Sequence, residues 1–541
     1  TQLLNNLFQP THRLPGFRMH LGNAWSELKT GSTKISYRGE PLAAQIVSDN
    51  VSTSNFDAKI IAKQLTKITG FYAVIARSND TTVAAVDHIR SIPLFYYKNS
   101  ENSSVVRVGP NPYHLLNSCD VTPFDPVALR DFAMTGIVTG PDTLVSGLFQ
   151  LQAGEVRVWN FKSKKTDCAL SYRHWPRTGV VQSYDQSRKK LASIVDNIFA
   201  RTITAANGRP ILVPLSGGLD SRLILAKLVE HGYHDLRTFS YGPRGNADAM
   251  VAKSVAAKLG VRWEFIPTNT PAARALINTE MLDLYWKFSD GLCAVPNHQD
   301  LSALSILSAK GNLPADSVIV NGQSGDFITG GHIPPSMFCD GPISVAAIVN
   351  AIRDKHYGLW KNLLTPENIL HVEARIRSRL DIDQGTKLIT KREAVAYFEL
   401  WEYKERQAKY VVNGQRIYDF LNIGWTLPFW DREYVAFWRD TPLQEKYKQA
   451  LYRDWLQSWD YEGVFSTITN RVTAWPQTIS ALIAPVAIAS RLLIGRARRD
   501  RIFRYLNYFD RFGDQYSLFG LYTFVRHAQN MRNPTSLFAR T

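Results

Sequence analysis

Ile211-Leu212-Val213-Pro214-Leu215-Ser216-Gly217-Gly218-Leu219-Asp220-Ser221, running on into Arg222-Leu223-Ile224-Leu225-Ala226-Lys227-Leu228-Val229, decides how this chain folds. An apolar run, a glycine-rich turn and an apolar stretch at helical spacing predict strand, loop and helix. A helix start leaves backbone N–H groups unpaired, and its dipole favours anions there. Adjacent Gly217 and Gly218 let the loop backbone come close to a ligand and gather its N–H groups into an anion-binding nest. Ser216 and Ser221 add hydroxyl donors. Asp220 would repel an anion directly; beside one, a carboxylate makes sense as a ligand for Mg²⁺ that bridges the two. The plainer alternative is a strand-to-helix turn in which Asp220 or Ser221 caps the helix. Neither G-x-x-x-x-G-K-[ST] nor G-x-G-x-x-G fits the loop.

Working outward, Leu236-Arg237-Thr238-Phe239-Ser240-Tyr241-Gly242 reads as a second buried strand. Residues 247–259 are apolar at helical spacing, and Val261-Arg262-Trp263-Glu264-Phe265-Ile266 reads as a third strand. Strand and helix in alternation predict a parallel, doubly wound α/β sheet with ligands at the carboxyl ends of its strands. Ser317-Val318-Ile319-Val320 is a further short strand, leading into Asn321-Gly322-Gln323-Ser324-Gly325-Asp326 and then Gly330-Gly331-His332. Leu427-Pro428-Phe429-Trp430-Asp431 and Lys448-Gln449-Ala450-Leu451 follow.

The S-G-G-x-D-S loop resembles the PP-loop of the ATP pyrophosphatase superfamily, and these segments in this order resemble its asparagine synthetase-like branch. Members of that branch open ATP to AMP and pyrophosphate, activate a carboxylate as an acyl-adenylate and let ammonia or an amine displace AMP. The resemblance implies ATP held by Leu215, Ser216, Gly217, Gly218, Asp220 and Ser221, with Ser240 and Gly242 at the adenosine and Gly322 against the nucleotide. It implies Mg²⁺ on Asp220 and Asp326. It places Lys448 and Gln323 at the reacting atoms; a point positive charge at Lys448 suits an oxygen gaining negative charge as pyrophosphate leaves. The segment around Asp326 departs from the family's S-G-E-G-x-D-E-x-x-G-G-Y in one respect. The family's glutamate is Gln323 here, and a neutral amide cannot act as a general base, so the acceptor or amine chemistry is expected to differ from asparagine synthesis. Taken singly, Asp326 also reads as a turn aspartate and Lys448, with Lys446 beside it, as a solvated helix lysine.

Three regions are expected: a glutaminase-like module over 1–180, a PP-loop synthetase domain over 181–460 and a basic, aromatic helical extension over 461–541. In the first, residues 70–75, 87–97 and 151–159 read as strands and resemble the closing strands of the family's N-terminal-nucleophile sandwich. The expected nucleophilic cysteine is not found: the sequence starts at Thr1 and its first cysteine is Cys119. Three readings stay open: a degenerate scaffold, a nucleophile in residues outside this sequence, or Thr1 itself as an amine-terminal nucleophile. On the first reading, nitrogen comes from free ammonia, a separate glutaminase or the substrate's own amine.

At 541 residues, with 45% hydrophobic and 20% charged residues, the chain has a globular composition and enough length for two or more domains. Its four scattered cysteines make no C-x-x-C pair, so neither a zinc site nor a disulfide framework is indicated, which fits a reducing cytoplasm. The net charge of +16 is partly concentrated at Arg491, Arg496, Arg498, Arg499, Arg501, Arg504 and Arg511, after an uncharged run over 472–490. Two prolines and several polar residues argue against a membrane span there. A buried helix followed by a solvated basic surface, or contact with the inner face of a membrane through the basic and aromatic stretch, are the readings of this region. No recognition motif points to nucleic acid. The combination of motifs looks most like members that amidate uronic acid sugars of bacterial surface polysaccharides, including a sugar carried on a polyprenyl phosphate. An intramolecular amide former of the β-lactam or lasso-peptide type is the alternative, asparagine synthesis a third, and a non-catalytic scaffold the reading from another class.

Overall fold

The computed structural model describes residues 25–52, 57–98, 106–116, 123–177, 183–242, 246–268, 279–383, 385–466 and 519–540. The N-terminal part is built from two antiparallel sheets. The larger contains β1 (Ser26–Thr30), β2 (Thr33–Gly39), β3 (Tyr72–Arg77), β4 (Thr81–Val86), β8 (Glu155–Asn160) and β9 (Lys165–Leu170), hydrogen-bonded in that order. The smaller has β5 (Phe95–Lys98) between β6 (Val106–Gly109) and β7 (Leu148–Gln150). Alternation along β3 explains the layering. Ala73 and Ile75 meet Val86, Leu94, Tyr96 and Trp159 between the sheets, whereas Tyr72, Val74 and Ala76 face the helices Pro41–Ser52 and Ala58–Leu65. Both faces are covered, so the strand is apolar throughout.

Two strand expectations here are shortened. Of 87–97 only residues 95–97 are extended, in the strand Phe95–Lys98. The buried Asp87 carboxylate accepts from the backbone N–H groups of Tyr72, Ile89 and Ser91 and folds 87–91 into a turn, with Arg90 at φ 56°. Likewise the strand expected over 151–159 begins at Glu155, because Gly154 at φ 75° turns the chain just before it.

The run that opened the sequence analysis forms the centre of a five-stranded parallel sheet. Its strands are β10 (Ile211–Pro214), β11 (Leu236–Gly242), β12 (Arg262–Pro267), β13 (Val318–Val320) and β16 (Gly424–Thr426), in the spatial order β12-β11-β10-β13-β16. From β10 the chain winds outward to β12, then returns to place β13 on the other side of β10. The reversal between β10 and β13 is the topological switch point at which such sheets bind ligands. The helices Tyr184–Ala206, Leu219–Glu230 and Gln299–Ala309 contribute Leu191, Val195, Leu223, Ile224, Leu301 and Leu304 to the core around the sheet. Between β13 and β16 lies a helical insertion, Val345–His356, Pro366–Leu380 and Lys391–Trp401, with a short pair β14 (Ile343–Ser344) and β15 (Leu388–Ile389) and a core of its own. The segment 472–490 and the arginines from Arg491 to Arg511 lie outside the described residues. Helix Leu521–His527 packs through Phe524 against Leu359 and Trp360. Among the described residues, no helix is long and apolar enough to cross a membrane.

The N-terminal sheets and the parallel sheet meet through buried charge. Asp419, fully buried, sits between Arg38 of β2 at 2.5 Å and Arg416 at 3.0 Å, and accepts from Trp425 Nε1 at 2.9 Å. Asp419→Ala would strand two buried guanidinium groups, a change that costs about 3–5 kcal/mol when a buried partner is removed. We expect a large fall in the urea or thermal unfolding midpoint, against a change within about 0.5 kcal/mol for a control at the exposed pair Lys34–Glu27.

Candidate active site

The loop after β10 is drawn tight by its own serines. Ser221 Oγ accepts from Ser216 N at 3.1 Å and lies 3.1 Å from Ser216 Oγ, which accepts from Gly218 N at 3.1 Å. Gly218 is the N-cap of helix Leu219–Glu230, with no side-chain cap. The capped-turn alternative is therefore not what forms: neither Asp220 nor Ser221 caps the helix. Their side chains turn instead to the loop and to the strand beside it.

That neighbour is the loop after β13, and two glycines let it in. A Cβ on Gly325 would stand 2.5 Å from Asp220 Cγ, and one on Gly322 3.2 Å from Asp220 Cβ and Ser221 N. Only glycine fits at 325, because a real Cβ keeps well outside that distance. The approach brings Asp220 and Asp326 together: the Asp326 N–H donates to the Asp220 carboxylate, and Tyr452 OH donates to Asp220 Oδ1 at 2.8 Å. Burial and the Asp326 charge nonetheless push Asp220 up to about 7. Asp326 goes the other way. The protein packed around it would raise it, but its side chain is still exposed, and its bond to His332 wins and holds it below the usual carboxylate range.

His332 was not singled out from the sequence for any role, and it is central here. Its Nε2 lies 3.1 Å from Asp326 Oδ2 and its Nδ1 3.1 Å from Glu402 Oε1. Glu402 is fully buried at the start of a π-helical segment, Glu402–Val411, and also meets Lys355 Nζ at 2.8 Å and His356 Nε2 at 3.3 Å. Burial lowers His332, but the bonds to Asp326 and Glu402 outweigh it and raise the imidazole to about 9. It stands as a cation donating to both acids. Glu402 is held far below its ordinary value by His332 and His356 despite its burial.

The other expected residues fall around this centre. Leu215 is buried and its N–H bonds to Phe239 at 2.9 Å, tying the loop to β11. The Ser240 hydroxyl is spent inside the protein, donating to the Leu215 carbonyl at 2.7 Å and accepting from Trp263 Nε1 at 2.9 Å. Gly242 ends β11 at φ 137°. Gln323 Oε1 accepts from Gln415 Nε2 at 2.6 Å. Lys448 is exposed, at φ 54°, with its ammonium 5.3 Å from the Tyr447 ring. Its neighbours hold the segment on the site: Gln449 Nε2 donates to Thr329 Oγ1 at 2.6 Å, and Tyr452 reaches Asp220. Lys446, by contrast, is buried and paired to Glu399 at 2.7 Å, so it is committed to the core and the exposed Lys448 is the lysine open to a ligand.

The arrangement offers anion-binding N–H groups and hydroxyls opposite two carboxylates at the switch point. Such a set can hold a divalent cation against a phosphate chain. In the protein without metal, Asp220 binds a proton when folded well above the pH at which it does so unfolded. Its contribution to stability is therefore complete below 3.8, the value of a free carboxyl, and is lost as pH rises through about 7. Thermal unfolding across that window should show this loss in the wild type and its absence in Asp220→Asn. Added Mg²⁺ should raise the midpoint more above the window than below it.

Residues 201–458 match the asparagine synthase family model. That family comprises carbon–nitrogen ligases that convert ATP to AMP and pyrophosphate, and the match supports an ATP-dependent amide-forming ligase in general. No curated protein matches the chain. Among solved structures, glutamine phosphoribosylpyrophosphate amidotransferase from B. subtilis, complexed with ADP and GMP, is similar at 11% identity over 44% of this chain and 71% of that one. Its TM-score of 0.16 is too low to bear on the fold.

Proposed function

We propose that the chain adenylates the carboxylate of a uronic acid in a surface polysaccharide or its lipid-linked precursor, and passes an amine or ammonia to it. The observation that carries the ligase reading is the convergence of Asp220 and Asp326 over the 216–221 loop, inside the segment that matches the asparagine synthase model. The residues fit a metal: Asp220, pushed towards neutrality by burial and by the Asp326 charge, faces that second carboxylate across a glycine cradle that a Cβ would fill. Mg²⁺ held by Asp220 and Asp326 supplies charge neutralisation to the phosphate chain. The N–H groups of 217 and 219–221 and the Ser216 and Ser221 hydroxyls grip the phosphates. The substrate carboxylate attacks the α-phosphorus and pyrophosphate leaves, its gathering charge met by Lys448. An amine nitrogen then attacks the acyl carbon and AMP leaves. Gln323 acts as a donor to the acyl oxygen, since its amide can hydrogen-bond but takes up no proton at neutral pH. The resemblance of the motifs to uronic acid amidating members supports the choice of substrate, and the strongly basic chain suits an anionic, phosphate-bearing carrier.

ATP–pyrophosphate exchange dependent on a uronic acid, free or nucleotide-linked, is the expected activity; no exchange with any carboxylate would overturn the ligase reading, and exchange only with other acids would overturn the substrate. Asp220→Ala and Asp326→Ala should each lower exchange by roughly 10²-fold or more, the scale of a lost transition-state electrostatic contact. Lys448→Ala should act on kcat more than on the KM for ATP. Product formation with ammonium against glutamine as nitrogen source decides the donor.

A further inference from the structure

A second cavity lies far from this chemistry in sequence, at the seam between the N-terminal segment 124–142 and the helix Pro366–Leu380. It has a volume of about 200 Å³ and is walled by Arg130, Arg375 and Arg379 with Val127 and Val372, and also by Asp131 and His371. Three guanidinium groups thus converge on one hollow. Two are fixed from behind. Arg375 Nε donates to buried Asp131 at 2.6 Å and its Nη2 to Asp142 at 3.0 Å, while Arg379 Nη2 donates to the same Asp142 oxygen at 2.7 Å. Arg379 also lies flat on Gly140, where a Cβ would stand 2.2 Å from its Cζ. With further bonds from Arg375 Nε to Thr139 Oγ1 at 2.8 Å and from its Nη2 to the Thr139 carbonyl at 2.9 Å, these contacts hold the two forks in place.

Arg130 makes no hydrogen bond or ion pair among the described residues, and Arg379 Nε is buried without a partner. That Nε is packed against Gly140 and closed to a ligand, so the donors left for one are those of Arg130. Two carboxylates against three guanidinium groups leave the hollow positive, and its concave shape concentrates that field. Planar guanidinium forks match the oxygens of a phosphoryl group, and the two valines offer an apolar wall for a small carbon body.

We propose that this cavity is a binding site for a small phosphomonoester, separate from the nucleotide site. It does not depend on the ligase reading, because it shares no residue with the 216–221 loop, Asp326 or Lys448. Backbone contacts run from it towards the catalytic side: Gly140, under Arg379, donates its N–H to Glu405 at 3.0 Å and accepts from Lys409 at 2.6 Å, both on the π-helical segment that begins with Glu402.

The full chain, with its nucleotide site filled by α,β-methylene ATP and Mg²⁺, is titrated with glucose 1-phosphate, inorganic phosphate and glucose by calorimetry and thermal shift. We expect saturable binding of glucose 1-phosphate, weaker binding of phosphate and none of glucose. Arg130→Ala should weaken binding roughly tenfold or more, equivalent to about 1.4 kcal/mol, and Arg130→Lys should recover part of it. Val127→Asp, which adds a negative charge at an exposed wall and touches none of the ion pairs, should abolish it. Affinity for the ATP analogue should be unchanged in all three. Binding that survives both Arg130→Ala and Val127→Asp, or no saturable binding of either phosphate compound, overturns the site; phosphate binding as tightly as the sugar phosphate overturns the phosphomonoester assignment.

Discussion

Everything at the switch point depends on one contact, the Asp220 carboxylate against the Cα of Gly325. The parallel register pairs Ile211 with Val318 and Leu212 with Ile319, so β10 and β13 end level and release their loops side by side. A methyl group at 325 would meet Asp220 Cγ at 2.5 Å, so the two loops can close on each other only with glycine there. Closing them forces two carboxylates into one crevice. Burial first, and the Asp326 charge second, push Asp220 up to about 7. A divalent cation held between the two acids, as proposed, would lower it again, since both could then be ionised at once.

The helix that ends at Trp401 and continues as the π-helical segment supports this crowded centre from behind. It carries Glu399, Glu402 and Glu405 at three-residue intervals, all buried, and each carboxylate anchors a different part of the molecule. Glu399 holds Lys446 and, with it, the segment that brings Tyr452 to Asp220. Glu402 holds His332 and through it Asp326. Glu405, with Lys409, clamps the backbone at Gly140 of the N-terminal part. Buried ion pairs gain little net free energy after desolvation, yet losing one partner is costly. These pairs therefore act chiefly as fixed points of geometry, which is what a site needs if its acids must stay close together. A π-helical stretch shifts the angular spacing of side chains relative to an α-helix, and such stretches gather at functional sites.

The parts of this centre that could be read in the sequence were the local ones. Strand, glycine pair and helix are contiguous from 211 to 229, and their physics is complete within the loop itself. Asp326 was legible because its glycine-rich segment also follows a short apolar strand. His332, Glu402 and Tyr452 were not recognised as parts of one network, because Glu402 and His332 are brought together by folding across 70 residues and no spacing rule links them. In the same way, 87–94 reads as strand from its composition. The Asp87 carboxylate, accepting three backbone N–H groups, overrides that propensity. Lys446 and Lys448 were indistinguishable as letters; burial against Glu399 separates them.

The pairing of Gln323 with Gln415 bears on the amine step of the proposed chemistry. With its oxygen accepting from Gln415, Gln323 keeps its NH₂ group as what it could offer a substrate in the proposed chemistry. A donor there stabilises charge gathering on an acyl oxygen, and it cannot take a proton from an incoming ammonium. His332 does not fill the gap, since it is charged, at about 9, and both of its nitrogens are engaged by acids. The nucleophile must therefore reach the adenylate as a free amine, or lose its proton to solvent or to the departing phosphate. On the proposed chemistry such a site would work with ammonia or with an amine of low basicity, and selection would fall on the acyl group.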